Sequence, residues 1–298
     1  MKAWLAKNRS LALRLFGTIL TLVLLVWLIS QRWQEIAEAL QRLPFLNLLA
    51  AIVLTILSRL FVMARWHVLL RSGGVPISFK ETIKIVFTGL FASNFLPTTI
   101  GGDVVRLAGV IQMGYDRAVC LASIAADRLI NMGGMVLMAP LGVWQVFQAG
   151  TLPALGMAGI WQKGLDFARR TLQSFSLWIK KPQALFGAFA FALAHIFCTF
   201  ITMYFLLQGM GHPVSVWKIA GLSSLAYFVT LMPISINGYG VNELTVTFLY
   251  SQIGGVSVSV SATAALISRI LNMLASLPGA LFLPGIMAKM DGSEKNEA

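Results

Sequence analysis

The chain has 298 residues and a mass of 32.5 kDa; it is 57% hydrophobic and 11% charged, with a mean hydropathy of +0.79. Soluble domains average about 25% charged residues, so an ordinary soluble enzyme, a disordered tail and a nucleic-acid domain are excluded, and an all-α polytopic membrane protein remains. The 23 Lys+Arg against 11 Asp+Glu give a formal charge of +12, but the basic residues cluster between apolar stretches, where they read as topology signals and contacts for anionic headgroups.

Lys2, Lys7, Arg9 and Arg14 precede an apolar run that ends near Ser30. The run continues through VWLISQRW without a small-x-small cleavage site, so it reads as a retained first span rather than a cleaved signal. Apolar stretches at 11–30, 46–70, 118–160, 183–208 and 258–286 can each cross a hydrocarbon core, which takes about 20 helical residues. The 118–160 stretch exceeds one span, and Pro140 and Gly142 predict a break into two. In the second stretch Arg59 lies near the middle, placed to line a cavity, whereas Arg65 reads as a snorkelling residue.

Residues 79–116 and 215–253 are apolar but interrupted by Gly, Pro and polar residues. Backbone outside a helix does not face lipid, so these stretches read as broken or re-entrant helices lining protein or a cavity. Residues 161–180, with Trp161, Phe167, Phe175 and Trp178, read as an amphipathic helix on the inner face or a polar linker. Basic residues mark four cytoplasmic regions: the N-terminus; Arg71, Lys80 and Lys84; Lys163, Arg169, Arg170, Lys180 and Lys181; and Lys289 with Lys295. About six full spans plus two re-entrant hairpins satisfy all four and put both termini inside; eight full spans are the alternative. Cys120 and Cys198 lie in apolar runs and read as packing residues, with no disulfide framework and no metal-ligand spacing. His67, His195 and His212 are isolated and read as packing or interface residues.

The chain repeats itself at a shift of about 137 residues. Leu69–Ser78 (LLRSGGVPIS) resembles Leu206–Ser215 (LLQGMGHPVS), Asn94–Asp103 (NFLPTTIGGD) aligns near Leu231–Gly240 (LMPISINGYG), and Asp127–Met132 (DRLINM) echoes Ser268–Met273 (SRILNM). The repeat units run over 46–148 and 183–286. The expected topology inverts one relative to the other, an arrangement in which transporters build substrate sites beside discontinuous helices.

Each repeat has a polar centre. The first holds Asn94, Pro97, Thr98, Thr99, Gly101, Gly102, Asp103 and Arg106. Thr99 or Asp103 is expected to cap a helix beginning near Val104, whose free N–H groups and Arg106 suit an anion. The second holds Pro233, Ser235, Asn237, Gly238, Tyr239, Gly240, Asn242 and Glu243, with Glu243 in the first turn of the next helix. Arg128 and Arg269 align inside long apolar helices, where charge is costly and is functional or paired. Asp127 points away from Arg128, so Arg128 is expected to pair with Glu243 or Asp103. These arginines fit either headgroup binding or a structural salt bridge. Asn131 and Asn272, three residues after the arginines, are expected to hydrogen-bond the broken backbone.

Asn94–Arg106 (NFLPTTIGGDVVR), Ala125–Met132 (AADRLINM) and Pro233–Glu243 (PISINGYGVNE) resemble the lysylphosphatidylglycerol synthase transmembrane-region family, a flippase-like integral membrane domain, over roughly 11–286. The resemblance implies a lipid flippase or transporter of the bacterial inner membrane that moves a phospholipid or glycolipid headgroup between leaflets. It marks the motif positions Asn94, Pro97, Gly101, Gly102, Asp103, Arg106, Asp127, Arg128, Pro233, Asn237, Gly238, Gly240 and Glu243, and more weakly Arg269; of these all but the two prolines, together with Thr99, are expected to bind substrate. An acidic or polar residue often precedes that last arginine in the family; Ser268 stands here. The family occurs alone or fused to a soluble aminoacyl-transferase domain. No such domain follows before Ala298, so synthesis of an aminoacyl lipid is not expected.

The implied partners are membrane phospholipids, or polyprenyl or hopanoid-type lipids, and a lipid-synthesis enzyme. No cofactor, metal or nucleic acid is expected. A membrane-embedded lipid-modifying transferase is the competing class, although no nucleophile–base pair stands out. An accessory scaffold for lipid synthesis is the third. No ATP-binding loop is present, so direct ATP drive is not expected.

Overall fold

The computed structural model describes residues 9–95, 101–150, 181–232 and 234–286, with side chains from Phe16 onward. The expectations for Pro97, Thr98, Thr99, Pro233, the 161–180 segment and the basic residues of both tails lie outside the described residues. Every regular element described is helical. In chain order they are α1 (Arg9–Gln31), α2 (Trp33–Arg42), α3 (Phe45–Ser72), α4 (Phe79–Phe95), α5 (Gly102–Ile111), α6 (Arg117–Gln148), α7 (Pro182–Gly209), α8 (Val216–Thr230), α9 (Val241–Gln252) and α10 (Val258–Ser276). Short 3-10 turns occupy Ile236–Gly238 and Leu277–Leu281.

Among the described residues four helices are long and apolar enough to span a membrane: α3, α6, α7, and α10 extended by its 3-10 turn to Leu281. A fifth span arises if α1 and α2, bent by 78° at Arg32, count as one broken crossing. That is fewer than the six or eight spans expected from sequence. One span of the difference traces to α6, which runs unbroken for 32 residues through Pro140. Proline costs a helix one hydrogen bond and often only bends it. Gly142 serves packing instead: a Cβ there would collide with the Gly221 carbonyl oxygen of α8, so the two backbones meet because neither residue has a side chain.

Both interrupted stretches are helical hairpins. The α4 and α5 helices pack on each other, as do α8 and α9. Their lengths are 17, 10, 15 and 12 residues, each short of the roughly 20 needed to cross. The approach to each hairpin uses the same local chemistry. A glycine with positive φ follows the preceding helix (Gly74 at 98°, Gly211 at 83°). A serine then opens the next helix: Ser78 Oγ accepts from the Glu81 N–H at 3.2 Å, and Ser215 Oγ from the Lys218 N–H at 3.3 Å. Ser78 and Glu81 complete a capping box, with the Ser78 N–H donating to Glu81 at 2.9 Å.

The chain divides into two compact units. One comprises Met1–Thr55, Met135–Leu152 and Thr199–Leu271; the other comprises Ile56–Gly134, Pro153–Cys198 and Asn272–Ala298. We call them the Glu243 unit and the Asp127 unit. In the first, α1 packs against α9 and the Ile236–Gly238 turn. In the second, the Leu277–Leu281 turn packs on α4, and a core that includes Met63, Trp66, Leu70, Ile77, Ile85 and Val110 fixes α3 against the hairpin.

Candidate functional site

Each unit contains one acid–arginine centre at the break of its hairpin. In the Asp127 unit the break delivers Asp103 and Arg106 on the first turns of α5. The helix opens at Gly102, with Gly101 as N-cap and no side-chain cap. Neither Asp103 nor a helix start at Val104 takes the expected capping role. Instead Ser93 Oγ, from α4, accepts the Gly102 N–H at 2.9 Å. Asp103 is thereby left to bind cations.

Asp127, on α6 and 3% exposed, anchors this centre. Arg65 Nε donates to its Oδ1 at 2.7 Å, and both Nη atoms of Arg106 donate to its Oδ2 at 3.2 Å. Arg106 also reaches Asp103 at 3.3 Å, and its guanidinium carbon lies over the buried Trp66 ring, 4.2 Å from the centroid. Arg128, one residue on, faces out with a side chain 63% exposed and pairs with Asp103. The sequence expectation of an Asp103 partner therefore holds, while the Glu243 alternative does not. Arg65 is not a snorkelling residue: it is 4% exposed and also donates to Asn131 Oδ1 at 2.8 Å. Three arginines face two aspartates, so one positive charge is in excess.

In the Glu243 unit the chain turns through Ser235–Gly240. Asn237 has a left-handed φ of 51°, and Gly240 enters α9 at φ 75°. Glu243, 2% exposed, folds back to accept the Gly240 N–H at 2.8 Å and pairs with Arg269 from α10. Arg269 also donates to the Gly238 carbonyl at 3.3 Å and stacks over Tyr239 at 4.8 Å. The carboxylate occupies the N-terminus of α9 and neutralises the arginine as well. Two threonines of α1 hold the break from behind. Thr18 Oγ1 accepts the Ile236 N–H at 2.7 Å, and Thr21 Oγ1 donates to the Tyr239 carbonyl at 3.0 Å.

The structure thus gathers Asp103, Arg106, Asp127 and Arg128 in one centre, and Gly238, Gly240, Glu243 and Arg269 in the other. Gly101 and Gly102 shape the first break, and Asn237 shapes the second. Asn94 lies on α4 and donates to Ser276 Oγ at 3.0 Å rather than to the charged cluster. Asn131 and Asn272, expected to hydrogen-bond broken backbone, accept from Arg65 and Arg59 through their side-chain oxygens. An amide oxygen accepts a guanidinium N–H that the carboxylates leave over. Sequence reasoning missed Arg65 as a centre residue, along with Ser93, Trp66, Thr18 and Thr21. Depth alone marks Arg65: seven residues from Ser72, it lies about 10 Å inside the end of α3 at 1.5 Å per residue. Among the described residues no group of His, Cys, Asp and Glu is arranged to hold a metal ion.

Comparison with known proteins gives the same motifs a context. The family model described as the lysylphosphatidylglycerol synthase TM region matches residues 14–165 and 155–279. A UPF0104 membrane protein of Pyrococcus horikoshii is 26% identical over 121 residues, 40% of this chain. The match spans 35% of that relative's own length.

Proposed function

We propose that this chain, which belongs to the lysylphosphatidylglycerol synthase transmembrane-region family, is a multi-pass membrane protein that moves lipid headgroups between leaflets. The observation that carries this reading is the pairing of a hairpin break with a buried ionic centre in each unit. A broken helix exposes backbone groups that lipid does not satisfy. Charged side chains at membrane depth cost several kcal/mol unless paired or put to use, on the order of 2.5–3.5 kcal/mol each by insertion scales. Among the described residues the chain carries both twice, where a hairpin helix too short to cross meets longer helices.

In this reading the headgroup enters the polar centres while its acyl tails stay in hydrocarbon. Arg128 and Arg269 exchange a protein carboxylate for a phosphate oxygen. Asp103 and Glu243, released, take up an amine or a proton. The cargo is a membrane phospholipid, with polyprenyl or hopanoid-type lipids as the other candidates, and a lipid-synthesis enzyme is the partner that supplies it. The repeats 46–148 and 183–286 are inverted about an axis in the membrane plane, and both termini face the cytoplasm of a bacterial inner membrane. The chemistry is movement rather than modification, so cargo mass is unchanged.

Proteoliposomes carrying the full chain and leaflet-labelled phosphatidylglycerol, aminoacyl-phosphatidylglycerol and neutral glycolipid test this. Exchange above protein-free vesicles is expected for at least one lipid, lost in Glu243→Gln and Arg128→Gln, with lipid masses constant. No exchange across the panel, or exchange that survives both substitutions, sinks the proposal. A new lipid mass would instead make the protein a transferase.

A further inference from the structure

Arg59 takes no part in either centre. It lies near the middle of α3, in the Asp127 unit, and is half-buried. One Nη donates to Asn272 Oδ1, while its Nε is buried without a hydrogen-bond partner. Among the described residues no carboxylate lies within ion-pair distance of it. Its neighbours are committed elsewhere: Ser58 Oγ bonds His195 Nδ1 at 2.6 Å, and Asp127 is taken by Arg65 and Arg106. With Arg59 included, and counting the outward-facing Arg128, this unit sets four arginines against Asp103 and Asp127.

A guanidinium is never deprotonated at working pH, so neutralisation does not relieve this charge. Asn272 supplies a dipole, not a counter-charge. We infer that Arg59 and Asn272 form an anion site, and that its counter-charge is the phosphate of a lipid headgroup. The Arg59 Nε–H is a free donor. The Asn272 amide nitrogen, its oxygen already accepting from Arg59, is a second. Two donors from different helices suit two oxygens of one phosphodiester, which a planar guanidinium grips better than an ammonium does. The inference rests on the transport reading and narrows it: the cargo bears phosphate, which removes neutral hopanoids and neutral glycolipids.

The experiment uses the purified full chain in detergent, titrated with phosphatidylglycerol, with diacylglycerol, and with inorganic phosphate. Thermal unfolding and direct binding are both read. Phosphatidylglycerol is expected to bind and raise the unfolding temperature, and diacylglycerol to do neither. Arg59→Gln is expected to weaken phosphatidylglycerol binding about tenfold or more, the equivalent of one lost charged contact, and Arg59→Lys to recover part of it. Without lipid, Arg59→Gln is expected to unfold at or above the wild-type temperature, because an uncompensated buried cation has been removed.

Undiminished phosphatidylglycerol binding in Arg59→Gln overturns the site. So does a lipid-free Arg59→Gln that is destabilised yet keeps its full lipid response, which makes Arg59 a helix tether. Inorganic phosphate that stabilises wild type as much as phosphatidylglycerol, and not Arg59→Gln, overturns the lipid assignment in favour of a free anion. Binding through Arg59 with no leaflet exchange in vesicles leaves the site standing and removes the transport reading; exchange with binding indifferent to Arg59 does the reverse.

Discussion

Replacing Asp127 by asparagine removes one negative charge and almost no volume. The structure sets the size of the effect. Asp127 is the shared acceptor of Arg65 and Arg106, with three N–H···O contacts at 2.7 and 3.2 Å. Asparagine leaves two guanidiniums facing one amide oxygen. Single polar contacts within membranes average about 0.6 kcal/mol, because the unfolded state in the membrane finds other partners. The present case differs in leaving charge uncompensated, and breaking a buried ion pair from one side costs roughly 3–5 kcal/mol. At about 1.4 kcal/mol per factor of ten, the folded-to-unfolded ratio should fall by more than a hundredfold. Denaturant unfolding in a single detergent measures it. Adding Arg65→Gln to Asp127→Asn should recover part of the loss, since one stranded cation is then removed, and the double-mutant cycle gives the coupling directly. An Asp127→Asn protein within about 1 kcal/mol of wild type refutes the reasoning, as does a double variant no more stable than the single one.

Three further outcomes follow from the same geometry. Gly142→Ala should destabilise by about 1–3 kcal/mol through overpacking against α8, read by thermal unfolding, whereas Gly187, half-buried but with open space where a Cβ would sit, should accept alanine without loss. Asn237→Gly should be tolerated, while Asn237→Val should lose about 1–2 kcal/mol at the left-handed turn and lower leaflet exchange with it. At the start of α4, hydrogen bonds from the Ser78 backbone and then its side chain hold the Glu81 carboxyl below its ordinary pKa, with Lys84 adding to the effect. A depressed folded pKa means that the cap is fully stabilising above the unfolded value and is lost as pH falls through the folded one. A Ser78→Ala variant should move the Glu81 midpoint upward in a carboxyl NMR titration; an unmoved midpoint would contradict the capping box.

The helical class, the two interrupted stretches and most of the charged centres were readable from residues alone. Glycine and proline inside an apolar run announce a break, and Glu243 just after a glycine turn announces an acid in the first turn of the next helix. Arg128 with Asp103 was also within reach, because a charge in an apolar helix demands a partner. Arg65 was not, since its carboxylate lies 62 residues away on another helix. Asp127 faces away from its sequence neighbour Arg128, as adjacent helical side chains do, but which helices supply its partners, α3 and α5, is set by packing that the local sequence does not encode. Pro140 misled for a related reason. A missing N–H is a local signal, but whether a helix ends there depends on what packs around it, and Gly142 was placed for its neighbour in α8.

The threonine contacts of α1 have a consequence for how the protein is made. Thr18 and Thr21 grip residues 218 positions later in the chain. At roughly 5–20 residues per second of synthesis, α1 waits on the order of ten to forty seconds in the bilayer before its counterpart leaves the ribosome. Thr21 is provided for meanwhile, because its hydroxyl also reaches the Gly17 carbonyl of its own helix at 2.7 Å. The Ile236–Tyr239 turn takes two of its hydrogen bonds from α1, so a helix already in the membrane acts as a template on which a later segment acquires its shape.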